Sequence, residues 1–285
     1  MAFAGQLAAC IFSVSLAARQ TPGPADLAAA LDRIGAHLER YYARARSIVC
    51  VETVRLQPLR ADLMPDGVPR RLVYELRVAW DPPGDGETPR EASVLRQLLT
   101  IDGKPPRPTD DPGCMDPKPV SPEPLAVLLP ARRGDYLFSQ AGTARVDGRA
   151  GVMFDYKSAS KRAPEIVWRG ECVSVDLPGQ TRGRVWIDAM TDDVLRLDEH
   201  LTGWFELTVP RDHTRHGHAT SMVIERADSS IRYKPVVFHD PEETLILPAS
   251  IESFTVIRNA GVPRLRTTQE FSSYRRFMTG GRLVK

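Results

Sequence analysis

The sequence lacks the motifs by which common classes of enzyme are recognised. No serine lies in a G-x-S-x-G elbow, the glycines are scattered among turns, and no histidine or cysteine spacing matches an established zinc motif. The chain also lacks an excess of charge of either sign, because it has 38 basic and 36 acidic residues, and the basic residues are scattered. A nucleic-acid interface or a polybasic membrane patch needs clustered positive charge. We therefore predict no enzymatic activity, no cofactor, no metal and no nucleic-acid partner.

The first eighteen residues also lack charge, and they are apolar and small. Ser15-Leu16-Ala17 has the small-x-small form of a signal-peptidase site, so residues 1–18 are predicted to be a cleaved signal peptide. The apolar run falls short of the roughly twenty residues that a membrane-spanning helix needs. The usual positive n-region is missing, which indicates that translation starts upstream of Met1. The protein is therefore predicted to be periplasmic or secreted.

An alternative for this segment is a lipoprotein signal, since Leu7-Ala8-Ala9-Cys10 resembles a lipobox. A lipoprotein turns polar after its lipidated cysteine, whereas the apolar run continues here through Val14. Cleavage near Ala17 is therefore favoured, and a lipoprotein anchored at Cys10 remains the second hypothesis.

Cysteine is scarce: cleavage of the signal leaves Cys50, Cys114 and Cys172. An odd number in an oxidising compartment implies one pair and one free thiol. Cys50 lies in the apolar run Ile48-Val49-Cys50-Val51, as expected of a buried hydrophobic residue. Cys114 lies in a proline-rich loop and Cys172 at a polar strand edge, so we predict a Cys114–Cys172 disulfide.

Two segments break an otherwise strand-like chain. Apolar residues recur every three or four positions over 25–45, which predicts an amphipathic N-terminal helix. Eight prolines occupy the twenty residues 105–124, and proline is excluded from the interior of a sheet. Leu125, Val127, Leu128 and Leu129 follow these prolines and indicate a short lid helix. We therefore predict a proline-rich crossover and lid helix over 105–130, within a single domain over 19–285.

Alternation of apolar and polar residues predicts about ten strands. The clearest pattern places Leu72, Tyr74, Leu76, Val78 and Trp80 on one face of a single strand. The connections are mostly hairpin-length, which favours an antiparallel meander. The predicted strands cover 48–56, 70–80, 92–101, 136–146, 151–157, 165–175, a pair within 183–207, 221–233, 245–257 and 265–277.

The strand pair Arg184-Val185-Trp186-Ile187-Asp188 and Val194-Leu195-Arg196-Leu197 resembles the strand pair of periplasmic lipoprotein carriers with the LolA-like fold. The ending Phe271-Ser272-Ser273-Tyr274-Arg275-Arg276-Phe277 is similar to that of a group of uncharacterised exported bacterial proteins with this layout. The resemblance implies a mainly β (α+β) protein in which a long, curved antiparallel half-barrel sheet wraps around helices. The crossover over 105–124 departs from a simple carrier.

Two hypotheses about function follow. In the first, the concave face of the sheet binds or carries a lipid or acyl-type ligand, or a lipoprotein. In the second, the core is filled and the protein is a non-enzymatic envelope scaffold that binds a protein partner. The apolar residues in phase on the sheet are the ligand-cavity candidates of the first hypothesis: Leu72, Tyr74, Leu76, Trp80, Leu195, Leu197, Leu201 and Ile251.

Two polar features are candidates for metal binding or catalysis. Asp212, His213, His216 and His218 form the densest set of ligand-type side chains, but the basic neighbours favour a solvated loop over a metal site. Glu199 is an acid predicted to lie on the apolar face of its strand. We expect Glu199 to be a strand-end carboxylate that pairs with an arginine, because a hydrolase needs two converging carboxylates.

Overall fold

The fold is a large open antiparallel sheet with one long helix. The computed structural model describes residues 24–45, 47–79, 93–107, 110, 113–117, 123–169, 172–213, 220–239 and 242–276. Within these ranges, the helices are α1 (Pro24–Arg44) and three 3₁₀ helices, η1 (Glu123–Leu128), η2 (Pro130–Asp135) and η3 (Arg211–His213). The strands are β1 (Ile48–Pro58), β2 (Arg70–Ala79), β3 (Ser93–Ile101), β4 (Tyr136–Val146), β5 (Arg149–Ser158), β6 (Glu165–Arg169), β7 (Cys172–Asp176), β8 (Thr181–Asp188), β9 (Val194–Leu201), β10 (Phe205–Thr208), β11 (Ser221–His239), β12 (Glu242–Arg258) and β13 (Arg264–Arg276).

Eleven strands form one sheet in the order β3-β2-β1-β13-β12-β11-β9-β8-β5-β4, and β10 pairs with β11 beside this path. The predicted antiparallel half-barrel is thereby confirmed. The chain is not one uninterrupted meander, since β1 pairs with β13 in the middle of the sheet. In the sequence, the proline-rich crossover lies between β3, at one edge of the sheet, and β4, at the other edge.

Helix α1 covers one face of the sheet, here called the inner face. Its buried residues Leu31, Ile34, Leu38 and Tyr41 follow the predicted helical spacing. Gly35 allows close contact with η2, because a Cβ there would lie 3.0 Å from Cδ and Cγ of Pro130. The helix predicted over 25–45 is therefore confirmed, and its apolar stripe packs inside the protein.

One predicted strand needs correction, and the structure specifies the type of one predicted helix. The single strand expected over 165–175 is a hairpin, because β6 and β7 pair with each other in a separate two-stranded sheet. Gly170 lies between them, and a glycine inside a strand-like run is typical of a break. The predicted mid-chain helix is present as a 3₁₀ helix: its leucines lie in and directly after η1, and η2 follows. Closely spaced prolines remove the amide donors that a longer α-helix would need.

Gly183 allows strands β5, β8 and β9 to pack closely. A Cβ at this position would lie 2.2 Å from the backbone oxygen of Asp198 and 2.5 Å from Cζ of Tyr156. The aromatic ring of Tyr156 therefore covers the glycine across the strand pair, where Tyr156 and Gly183 are direct partners. No other residue type fits without displacement of a backbone atom.

Exchange of Gly183 for Ala is expected to lower the free energy of unfolding by about 1–3 kcal/mol, because the added methyl group overpacks the site. Urea unfolding followed by circular dichroism measures the loss. Gly261→Ala is the matched control, since its Cβ would meet no atom within 4 Å. Equal stability of the two variants would contradict the close packing of Tyr156 on β8.

Candidate functional site

The predicted cavity residues that the structure describes do not surround one shared space. Leu76, Leu197 and Ile251 are buried in the main core together with residues of α1 and η1. Leu72 and Tyr74 belong to a second, smaller cluster. The remaining three differ: Leu195 is buried, Leu201 is half-buried, and Trp80 lies outside the described residues.

The described part of the proline-rich crossover packs on the second cluster, and no described helix does so. Met115 and Leu98 pack against its buried residues, which are Val54, Leu56, Leu72 and Tyr74. Cys114, next to Met115, forms the predicted disulfide with Cys172 of β7. The inner face is thus covered by α1 and η1 over the main core and by the crossover over the second cluster.

A small apolar cavity of about 50 Å³ remains where α1, η1 and the sheet meet. Tyr41, Leu76, Leu125 and Tyr274 are among its lining residues. Ligand pockets for small molecules typically measure about 300–1,000 Å³. In this conformation the cavity is therefore far too small for an acyl chain.

A buried polar network separates the two clusters. The Glu52 carboxylate is 0% exposed and accepts hydrogen bonds from Arg96 Nε at 2.8 Å and Arg96 Nη2 at 3.1 Å. Gln269 Nε2 donates a third bond to Glu52 at 2.7 Å. Arg96 Nη1 also donates to Asp116 Oδ2 at 2.7 Å, which joins the crossover to strands β1, β3 and β13. A buried ion pair needs such additional hydrogen bonds to offset its desolvation.

Tyr74 completes this network from strand β2. Its hydroxyl donates to Asp116 Oδ2 at 2.9 Å, and the Arg96 guanidinium lies 3.7 Å from the centre of its ring. Burial, and then the negative charge of Asp116, raise the pKa of Tyr74 far above its usual value. The hydroxyl therefore stays protonated and acts as a donor that fixes the crossover.

The network went undetected in the sequence, although a signal was present. Glu52 alternates in phase with the inner-face residues Cys50 and Val54, and Arg96 lies in phase with Leu98. A charged residue at an apolar position of each of two strands indicates a buried ion pair. The partners are 44 residues apart, so the pairing itself needs the fold.

Glu199 lies on the inner face as predicted, but its partner is not an arginine. The Tyr156 hydroxyl donates to Glu199 Oε2 at 3.2 Å. Burial raises the pKa of the Glu199 carboxyl, whereas the tyrosine hydrogen bond lowers it in part. Asp198 alternates to the opposite face and pairs with Arg196 at 2.7 Å. These two neighbouring acids therefore do not converge on one cleft.

The histidine-rich segment is described only in part. Asp212 and His213 lie in η3, and the His213 ring stacks on Trp168 with 4.6 Å between the ring centres. His216 and His218 lie outside the described residues. Within the described ranges, no group of three or more histidine, cysteine, aspartate or glutamate residues could hold a metal ion.

Two remaining predictions concern export and the cysteines. The signal segment 1–18 and Cys10 lie outside the described residues. In the part of the chain that is described, no helix is both long and apolar enough to cross a membrane. Cys50 is a buried free thiol, and burial raises its pKa to about 12. A thiol with this pKa is unreactive at neutral pH.

Comparison with known proteins finds similar solved structures but no matching family. No protein-family model and no curated protein matches the sequence. Among solved structures, the chain is similar to a LolA superfamily protein from Nitrosomonas europaea, with 9% sequence identity and a TM-score of 0.39 over 87% of this chain and 94% of that one. A domain assigned to outer-membrane lipoprotein sorting in Vibrio parahaemolyticus has 9% identity and a TM-score of 0.41, with 88% and 94% covered.

A DUF1329 family protein from Desulfovibrio piger is also similar, with 10% identity and a TM-score of 0.38 over 88% of this chain and 93% of that one. The LolA-like resemblance stated from the sequence thus recurs among these structures. Identities and TM-scores this low carry no argument about what the chain binds.

Proposed function

We propose that this chain is an exported, non-enzymatic envelope protein that binds a protein partner and whose inner face is a filled core. The observation that supports this proposal best is the cover over the inner face: among the described residues, α1 and η1 leave a cavity of about 50 Å³ against the sheet, and the crossover packs on the second cluster. The uncharged apolar start and the Cys114–Cys172 disulfide support export, since disulfides persist in oxidising compartments.

A second candidate function is the transport or binding of a lipid, a lipoprotein or another acyl-type ligand. The place of the small cavity favours it, because the cavity lies at the junction between the sheet and the elements that cover it. A cover that moved away would expose the apolar side chains of the main core, including Leu76 and Leu197. Each methylene group buried there would contribute about 0.8 kcal/mol to binding.

Lipid binding by the wild-type protein distinguishes the two candidates. Under the filled-core proposal, protein purified from its own envelope carries no lipid in native mass spectrometry and binds no fluorescent fatty acid at micromolar concentration. A co-purified lipid mass, or saturable binding of the fatty acid, would overturn the filled core and favour the carrier.

A pair of variants locates any binding that is observed. Leu125→Ala enlarges the cavity, so a carrier is expected to bind the fatty acid more tightly after this exchange. Leu95→Ala is the matched control, because Leu95 is 58% exposed and lies outside the cavity. An equal effect of both variants would place the fatty acid elsewhere.

A further inference from the structure

The opposite face of the sheet, here called the outer face, carries an open groove of about 780 Å³ over strands β4, β5, β8 and β9. This volume falls within the range of about 300–1,000 Å³ that small-molecule sites occupy. Most of the groove faces away from the inner-face core, because outward-pointing residues alternate with the buried ones along each strand, and the core residues Phe138 and Tyr156 also line it. Its outward-pointing lining residues include Lys157, Arg182, Arg184, Trp186, Asp198 and His200.

A row of basic side chains crosses this groove. Lys157 of β5 lies directly opposite Arg182 of β8, and Arg182 lies directly opposite His200 of β9. Like charges directly opposite each other on neighbouring strands destabilise a sheet. Both Lys157 and Arg182 are exposed, and no ion pair joins either of them to another described residue. Their positive charges are therefore available to a ligand.

The other charges of the groove are already matched. Arg184 donates two hydrogen bonds to the carboxylate of Asp155, at 2.5 and 2.9 Å. Asp198 accepts two from Arg196, and Nδ1 of His200 lies 2.9 Å from Asp228 Oδ1. These pairs leave the two cations of the row as the uncompensated charge in the groove.

An aromatic surface lies along the same strand. Arg182, Arg184 and Trp186 point outward in succession along β8, which places Trp186 about 13 Å from Arg182. The Arg196 guanidinium lies 4.8 Å from the centre of the Trp186 ring, and Trp186 is half-buried. The groove thus has a cationic end and an aromatic end.

We propose that the outer groove binds a small phosphorylated molecule, with its phosphate monoester between Lys157 and Arg182 and its body extended along β8 toward Trp186. The charge of a phosphate monoester at neutral pH is about −1.5 to −2, which matches two cations better than a single carboxylate does. Arginine and lysine are the side chains that bind phosphate oxygens most often. This proposal is independent of whether the inner face takes up a lipid.

Isothermal titration calorimetry with 2-naphthyl phosphate tests the proposal on the full chain. Wild-type protein is expected to bind this probe in the micromolar to low-millimolar range, and more tightly than inorganic phosphate, which lacks the extended body. Lys157→Gln and Arg182→Gln are each expected to weaken binding about tenfold, since each removes one charge-assisted hydrogen bond. The double variant is expected to show no saturable binding.

The matched control removes the same charge outside the groove. Arg55 of β1 and Arg71 of β2 are exposed and also lie directly opposite each other, but neither lines the groove. The Arg55→Gln/Arg71→Gln variant is expected to bind 2-naphthyl phosphate as the wild type does. Equal losses of binding in the two double variants would show that the effect comes from net charge alone, and would overturn the proposed site.

Two further results would also overturn the proposal. One is the absence of wild-type binding at low-millimolar 2-naphthyl phosphate. The other is binding to vesicles that contain phosphatidic acid without binding to 2-naphthyl phosphate, since this would assign the basic row to a membrane surface. Circular dichroism of each variant establishes that the sheet is intact, so a loss of binding reports on the groove.

Discussion

Exchange of Arg96 for Met is expected to lower the free energy of unfolding by about 3–5 kcal/mol, the range measured when one partner of a buried ion pair is removed. Glu52 would remain fully buried, with Gln269 as its one remaining side-chain donor among those described. Asp116 would lose its bond from Arg96 as well, although its Oδ1 atom is already buried without a described partner. Urea unfolding at neutral pH measures the loss.

Two variants separate this effect from a general loss of charge or packing. The matched control is Arg77→Met, because Arg77 pairs with Glu75 at 2.6 Å but is 50% exposed. An exposed pair of this kind contributes about 0–1 kcal/mol. Glu52→Gln combined with Arg96→Met removes both buried charges and is expected to recover part of the loss. If Arg96→Met costs no more than Arg77→Met, the network does not stabilise the fold.

Most of the fold could be predicted from local patterns in the sequence. Residues that alternate in phase, such as Leu72, Tyr74 and Leu76, predict a strand with one buried face, and the structure buries all three. The spacing of Leu31, Ile34 and Leu38 predicts α1 in the same way. These predictions succeed because alternation and helical spacing depend on neighbouring residues alone.

Other features could not be predicted, because distant parts of the chain decide them. The pairing of β1 with β13 joins residues more than two hundred positions apart, so hairpin-length connections could not reveal it. The Arg96–Glu52–Asp116 contacts likewise depend on the crossover lying over β1 and β3. Whether α1 and η1 fill the inner face depends on side-chain volumes in three dimensions, which no spacing rule supplies.

The disulfide is the second interaction whose loss is expected to be large. Exchange of both Cys114 and Cys172 for Ala opens a loop with a sequence separation of 58 residues. Chain-entropy arguments give such a closure about 4 kcal/mol of stabilisation, because the intact bond restricts the unfolded chain. The unfolding midpoint in guanidinium chloride is therefore expected to fall strongly in the double variant.

Reduction supplies the control within the same experiment. Dithiothreitol is expected to bring the wild type to the stability of the Cys114→Ala/Cys172→Ala variant and to leave that variant unchanged. Cys50→Ala is the matched cysteine exchange, since Cys50 is free, and this variant is expected to keep its full response to reductant. A reductant response that disappears with Cys50, or a Cys50-containing bridge in non-reducing peptide mapping, would contradict the pairing.

The disulfide and the buried network are expected to be coupled. Cys114 lies two residues before Asp116, so the bond to Cys172 restricts the same stretch of crossover that Arg96 and Tyr74 hold. Without the disulfide, the crossover gains more conformational entropy when Asp116 leaves Arg96, so the bond between them stabilises the fold less. Arg96→Met is then expected to lower the free energy of unfolding by a smaller amount. A double-mutant cycle of Arg96→Met with the cysteine exchanges is therefore expected to be non-additive by about 0.5–3 kcal/mol. Strict additivity would mean that the crossover is held at two independent points.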